Sequence, residues 1–460
     1  MPGCTTMVKR LRLMAALPWS DTAVSHEAKS EKSSLRINAP MPGFISGVEV
    51  AVTTAGRVGV AEGGNQTTLG VGSGVSEDDV AEAVGIASAG EQDEVRHPIK
   101  KITSRVRMKY NIVVRHSSIQ GDCMTEQKAL VTGACGEIGQ ALVQALARRG
   151  GYHITTSDLA PLPESIKNIS AEHVQGDLVY KIKTFYDYDF DVIFHLAASL
   201  SSKAEVASEE AHRINVEGTM QLLMLAAYRS EKHRKSVKFL FPSSIAAYGM
   251  GTLAVKNSAG RVKENEYNAP QTMYGCNKLY CEKLGIYYSK FFGQKHLDEN
   301  PPHFLDFRSI RFPGLISAFT LPSGGTSDYG PEMLHAAAQG KPYACFARED
   351  AKISFMAMPD AIRSLLMLMD APREKLSHQV YNIAAFALTA GEFRDRALKA
   401  FPGAEITFEP NPRRQGIVDS WPEDVDDSLA RAEWGWQPEY DADRFFDDYF
   451  LPEIRKRYNA

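Results

Sequence analysis

From Lys128 onward the chain alternates short apolar runs with stretches of helical periodicity. "KALVTGACGEIG" carries an apolar strand into three glycines. Behind it "QALVQALARRG" repeats its apolar residues at three- and four-residue spacing, which predicts a helix stopped by Gly150 and Gly151. "YHITTSDL" and "AEHVQGDL" each predict a strand closed by an acid, Asp158 and Asp177. "DVIFHLAASLSS" reads as a fully buried strand running into a loop of small residues. "VKFLFPSSIAAYG" is a further strand, ending in two hydroxyls, and "TMYGCNKLYCEKLG" is helical. Near the end, "DSWPEDVDDSLARAEWGWQP" predicts a short amphipathic helix, with Trp421, Trp434 and Trp436 expected in the core.

Residues 1–123 have a different texture. Segments such as "GRVGVAEGGNQTTLGVGSGVSEDDVAEAVG" are rich in glycine, serine and acids, and the whole stretch holds three aromatics, Trp19, Phe44 and Tyr110. So little apolar area predicts a poorly structured, low-complexity extension. Gly70, Gly72 and Gly74 imitate a phosphate loop, but no strand is expected before them and the acidic "VSEDDV" that follows does not continue one. "MVKRLRLMAALPW" is basic and apolar, with no acid until Asp21, a pattern that permits a mitochondrial presequence. The expected compartment is the cytoplasm, with the mitochondrial matrix as the alternative. The folded domain proper is expected to begin near Met124.

Composition removes several function classes. Lys and Arg total 52 against 56 Asp and Glu, a formal charge of -4, so nothing in the balance favours a polyanion such as nucleic acid. No apolar run approaches the roughly 18 residues of a membrane span. The six cysteines show no C-x-x-C spacing, which argues for reduced thiols and against a metal site.

What remains is small-molecule chemistry. In the first glycine run, Gly133 allows a tight turn, Gly136 lets backbone approach a pyrophosphate, and Gly139 permits close packing of helix on strand. Asp158 stands about 20 residues further on, where a carboxylate accepts ribose hydroxyls, and no arginine beside it would hold a 2'-phosphate; NAD is therefore expected over NADP. Asp158 could also be a simple strand-end turn residue. Asp177 and Leu178 fall where adenine would lie. His195, on an apolar strand, is expected to be packed rather than catalytic.

Tyr274 and Lys278 lie four residues apart on one helical face. An ammonium beside a phenol stabilises the phenolate, so Tyr274 becomes a base for an alcohol proton, with Ser244 holding the reacting oxygen. Tyr280 and Lys283 show how easily such a pair arises by chance. Arg311, at a strand end before "FPG", is either a ligand for a substrate carboxylate or a structural residue.

"TGACGEIG", Asp158, "GDL", "HLAA", "PSSIAAYG" and "YGCNK" together resemble the extended short-chain dehydrogenase/reductase family over roughly residues 125–455. The resemblance implies an α/β fold: a doubly wound parallel sheet (Rossmann) domain over residues 124–312, and a smaller, mainly substrate-binding C-terminal portion over 313–460, with 352–385 returning to the Rossmann domain. It also implies homodimers, and coenzyme contacts from Glu137, Ile138 and Ala197. Within that family, "RSIRFPGLIS", "GGTSDYGPEMLHAAAQGKPYACF" and "RQGIVDSWPEDVDDSLARAEWGW" resemble the short-chain L-threonine 3-dehydrogenases. That likeness implies that Ile316 touches the nicotinamide end of the coenzyme, that Ser201 and Thr326 line the substrate pocket, and that threonine is oxidised to 2-amino-3-oxobutanoate. A nucleotide-sugar 4-epimerase shares the same machinery, and a non-catalytic NAD sensor the same fold. "GMGTLAVKNSAGRVKENE" and "FFGQKHLDENPPHFLDF" are longer than the family pattern, and the first falls near the pocket mouth.

Overall fold

The computed structural model describes residues 126–292, 305–322 and 324–459, together with the backbone of five strands in residues 1–125. The chain divides into two units, Met1–Thr125 and Glu126–Ala460. In the first, strands Ala23–Glu27, Ser34–Ala39, Val48–Thr53, Arg57–Glu62 and Asn65–Gly70 pair antiparallel in chain order. Gly70 closes the last of them, so a strand does precede this glycine run, contrary to the expectation from sequence, while Gly72, Gly74 and the basic N-terminal residues lie outside the described residues. So does 293–304, most of the second long segment noted above.

The second unit is built on a seven-stranded parallel sheet. Its strands are β1 (Gln127–Thr132), β2 (Tyr152–Asp158), β3 (Glu172–Gln175), β4 (Val192–His195), β5 (Lys238–Ser244), β6 (Asp306–Phe312) and β7 (Val380–Asn382). Their spatial order is β7-β6-β5-β4-β1-β2-β3. Strand order reverses beside β1, between its two neighbours β2 and β4, which opens a crevice at the carboxyl ends of the strands. Gly314–Ile316, Lys352–Ala357 and Phe386–Thr389 form a separate three-stranded sheet.

Helices cover both faces because their apolar residues recur at helical spacing. Helix α1 (Glu137–Arg149) buries Gly139, Leu142, Val143 and Leu146, and ends at Gly150, whose φ is 71°. With Ala129 and Val131 of β1 and the buried side of Met358–Asp370, these residues form one core cluster. On the opposite face α2 (Gly218–His233) packs Leu222, Leu223, Leu225 and Ala226 against Phe239, Phe241 and Phe307. Each fully buried Leu or Phe contributes about 1.5–3 kcal/mol. Trp421, Trp434 and Trp436 are all buried, as expected. Among the described residues no helix is long and apolar enough to cross a membrane, and no His, Cys, Asp or Glu cluster could hold a metal ion.

Candidate active site

The glycine turn after β1 is shaped by contact as well as by conformation. Gly133 has φ +67°, and a Cβ there would stand 2.6 Å from the backbone nitrogen of Ala197 at the end of β4. This is the close approach of the β1 and β4 loops that forms the crevice floor. Gly139 likewise has no room for a side chain: a Cβ would lie 2.3 Å from the Gly133 carbonyl oxygen. Gly136 is the N-cap of α1 and makes no side-chain cap, so the helix presents its first N–H groups toward the crevice. Asp158 closes β2, its carboxylate accepting the Cys135 N–H at 2.9 Å and the Ala160 N–H at 3.0 Å. One carboxylate thus fixes the glycine turn and keeps lone pairs for ribose hydroxyls. A helix N-terminus, a tight turn and a carboxylate at the next strand end fit a dinucleotide.

The other predicted coenzyme contacts fall into two groups. Glu137, Ile138 and Ile316 line a cavity at the carboxyl ends of the strands. Ala197, Asp177 and Leu178 do not: Ala197 lies against the Gly133 turn, Asp177 caps the turn Leu178–Lys181 through the Val179 N–H and pairs with Arg213 at 2.9 Å, and Leu178 is buried. Glu137 carries a signal that its spacing did not reveal. Although solvent still reaches it, its packed surroundings and then the neighbouring Asp328 carboxylate push its carboxyl up to about 7, against a hydrogen bond from Ser317.

The same cavity gathers Ser244, Tyr274 and Lys278. Helix α3 (Met273–Lys290) starts at Thr272, whose hydroxyl accepts the Gly275 N–H at 3.0 Å. Gly275 brings the helix against β5's exit, since a Cβ there would stand 2.0 Å from the Ala246 carbonyl oxygen. That approach sets Tyr274 and Lys278 beside Ser244. The Ser244 hydroxyl accepts the Ala246 N–H at 3.1 Å, which leaves its own O–H free to donate. Lys278 is buried, donates to the Pro242 carbonyl at 2.6 Å, and places Nζ 4.5 Å from the Phe241 ring centroid and 5.6 Å from that of Tyr274. Burial pulls its amine down to about 8 and pushes the Tyr274 phenol above its usual range. By contrast Tyr280 is half exposed, which leaves the chance pair with Lys283 outside the cavity.

His195 is packed, bridging Thr132 (2.8 Å) and Thr219 (2.9 Å), and burial pulls its pKa down to about 3. Ser201 and Thr326 both line the cavity and share a hydrogen bond of 3.1 Å between their hydroxyls. Arg311 departs from the substrate-ligand expectation. Its guanidinium is buried in a bidentate pair with Glu282 (2.6 and 2.8 Å), bonds the Glu264 carbonyl, stacks 4.5 Å from the Tyr248 ring, and does not line the cavity. Ser243 donates to the same carboxylate, so Glu282 ties α3 to β5 and β6 directly behind the catalytic face. Glu282 lies one turn beyond Lys278, a spacing that was readable but whose partners are distant in sequence. Trp421 also lines the cavity, so a residue expected in the core forms part of the site wall as well.

Comparison with known proteins agrees with this geometry. Residues 129–384 match the model of the NAD dependent epimerase/dehydratase family. The chain is 32% identical over 320 residues to "L-threonine 3-dehydrogenase, mitochondrial" of Bos taurus, covering 69% of this chain and 80% of that one. It is equally close, at 32% over 320 residues, to an uncharacterized epimerase/dehydratase of Staphylococcus saprophyticus, with 68% and 93% covered. Among solved structures, L-threonine dehydrogenase from Clostridium difficile superposes with a TM-score of 0.63 at 34% identity, covering 73% of this chain and 99% of that one. The holo form of the GalE-like L-threonine dehydrogenase from Cupriavidus necator gives 0.61 at 33% identity, with 72% and 99% covered. The chain belongs to the NAD-dependent epimerase/dehydratase family and is an NAD(H)-using oxidoreductase of the extended short-chain dehydrogenase type.

Proposed function

We propose that the protein oxidises the 3-hydroxyl of L-threonine to give 2-amino-3-oxobutanoate, with NAD preferred over NADP. The observation that carries this reading is the cavity itself. Ser244, Tyr274 and Lys278 meet on it, and Lys278 is the one cation among the described residues lining it. A nucleotide sugar would bring a diphosphate into a cavity whose other ionisable side chains are the acids Asp328 and Glu137, the latter about half protonated near neutral pH, whereas an amino acid brings an ammonium that the Asp328 carboxylate favours. The threonine dehydrogenases among the relatives point the same way.

When bound, NAD supplies the hydride acceptor and a positive ring near the phenol. Gly133, Gly136 and the first N–H groups of α1 would hold its pyrophosphate, Asp158 its adenosine ribose, and Ile316 its nicotinamide end, with Asp177 and Leu178 near the adenine. Ser244 donates to the substrate oxygen, and Tyr274 takes the hydroxyl proton as hydride leaves the same carbon. The Lys278 ammonium stabilises the Tyr274 phenolate that accepts this proton and becomes the phenol. Ser201 and Thr326 offer their hydroxyls to the polar end of the substrate.

Residues 124–460 are taken as the catalytic unit, and the active species as a homodimer. Met224 and Tyr228 on α2, Tyr280 and Tyr287 on α3, and Phe291 just beyond are exposed apolar or aromatic side chains that a second copy would cover. The cytoplasm is kept as the compartment, with cell fractionation as its check; the bovine relative's name says mitochondrial.

The test is NADH formation by the full chain, and by a chain starting at Met124, with L-threonine, L-serine and 3-hydroxybutyrate, together with product analysis of a panel of nucleotide sugars, since epimerisation releases no net NADH. Oxidation of threonine by both chains is expected. Conversion of a nucleotide sugar without threonine oxidation would establish the epimerase instead, and no turnover with any of them would leave a coenzyme-binding sensor.

A further inference from the structure

The long segment 249–266 folds back onto the stretch that carries Trp421, and it does so at several points. The Met250 N–H bonds the Ser420 carbonyl at 3.0 Å. Lys256, in the short helix Leu253–Ala259, is 2% exposed and donates from Nζ to the Val418 carbonyl at 2.8 Å. Arg261–Val262 then pairs in parallel with Asp424–Val425, and Arg261 bonds the Val425 carbonyl and the buried Asp427 carboxylate at 2.9 Å. Residues before and after Trp421 are therefore fastened to one segment, while Trp421 itself forms part of the wall around Ser244 and Tyr274. Met250, Val262, Val418, Trp421 and Val425 belong to one buried cluster, against which the Tyr274 ring also packs.

A lysine buried among apolar residues is costly unless its ammonium has a partner. Lys256 spends that cost on a single backbone carbonyl three residues before Trp421. Burial draws its amine down to about 8, aided by Arg348 and opposed by Asp419, Glu423 and Asp350, so in neutral solution the bond is charge-assisted. The mechanism proposed above makes no use of this group.

We infer that segment 249–266 is a strap that sets substrate size: by gripping the Val418 and Ser420 carbonyls it fixes Trp421 as a rigid wall, with Lys256 as the positioning residue. The inference rests on the reading of the substrate as a 3-hydroxy amino acid. A fixed wall rejects one extra methylene, and a released wall recedes and admits it.

The experiment compares kcat/KM for L-threonine with that for its one-carbon-longer homologue, 2-amino-3-hydroxypentanoate, in the wild type, Lys256→Met and Arg261→Met. Arg261 is half exposed and anchors the far end of the strap, so the second variant serves if the first fails to fold. A rigid pocket prefers threonine by about 10-fold or more. In both variants this preference should shrink to about 2-fold, through a lowered KM for the longer homologue, with the KM for NAD unchanged; a purely structural defect would lower kcat/KM for both substrates alike. An unchanged ratio in a folded variant overturns the strap. Wild-type failure to oxidise either amino acid overturns the substrate reading, which separates the two.

Discussion

Replacing Lys278 by methionine removes one charge from the site while keeping most of the side chain's volume. Nζ lies 5.6 Å from the centre of the Tyr274 ring, which at an effective dielectric of about 20 amounts to about 3 kcal/mol of stabilisation for a phenolate. That corresponds to about two pH units in the phenol's ionisation. Burial pushes the phenol upward, and Lys278 is the one cationic side chain among the described residues lining the cavity. The acid limb of kcat/KM for Lys278→Met should therefore move up by about two units, a loss of about 100-fold at pH values below the limb. The sign follows from the lysine's own titration. Its pKa is lowered to about 8, so the wild type carries the charge below that pH and loses it above, and the two enzymes should converge as pH rises through it. Initial rates of NADH formation at saturating coenzyme, from about pH 6 to about pH 10, give both limbs. Acid limbs at the same pH would refute the electrostatic role, whatever the variant's absolute rate.

Three further outcomes are expected. Asp158→Ala should raise the KM for NAD by about 10-fold, the loss of a charged hydrogen bond, and narrow the preference over NADP; an unchanged coenzyme ratio would show that Asp158 only braces the glycine turn. Arg311→Met leaves the Glu282 carboxylate buried and unpaired, so chemical denaturation should show a loss of about 3–5 kcal/mol, while any folded fraction keeps its KM for threonine. A raised KM without lost stability would return Arg311 to the substrate. Tyr287→Glu, on the exposed face of α3, should convert a dimer to a monomer in light scattering; a wild-type mass equal to one chain would remove the dimer.

The parts of the site that sequence made readable are those encoded over short spans. The glycine turn with Asp158 and the four-residue step from Tyr274 to Lys278 need only a strand, a turn and a helix to take their places. Ser201, Ser244, Thr326 and Ile316 all line the cavity. Arg311 was ambiguous because its partner lies 29 residues back on α3, and only the packing of that helix against β6 brings Glu282 to it. Trp421 read as core because burial and cavity lining place the same demand on a tryptophan. The grip of Lys256 on Val418 spans 162 residues and follows no local rule.

The central claim is that the Tyr274 phenolate is the base for alcohol oxidation, and the most direct measurement is turnover by Tyr274→Phe alongside its affinity for NAD. The substitution removes one oxygen and keeps the ring that packs against the cavity wall. NADH formation from L-threonine should fall by at least about 100-fold, with coenzyme binding, followed by protein fluorescence, unchanged. A near-normal rate in that variant would contradict the claim, because proton removal would then belong to another group.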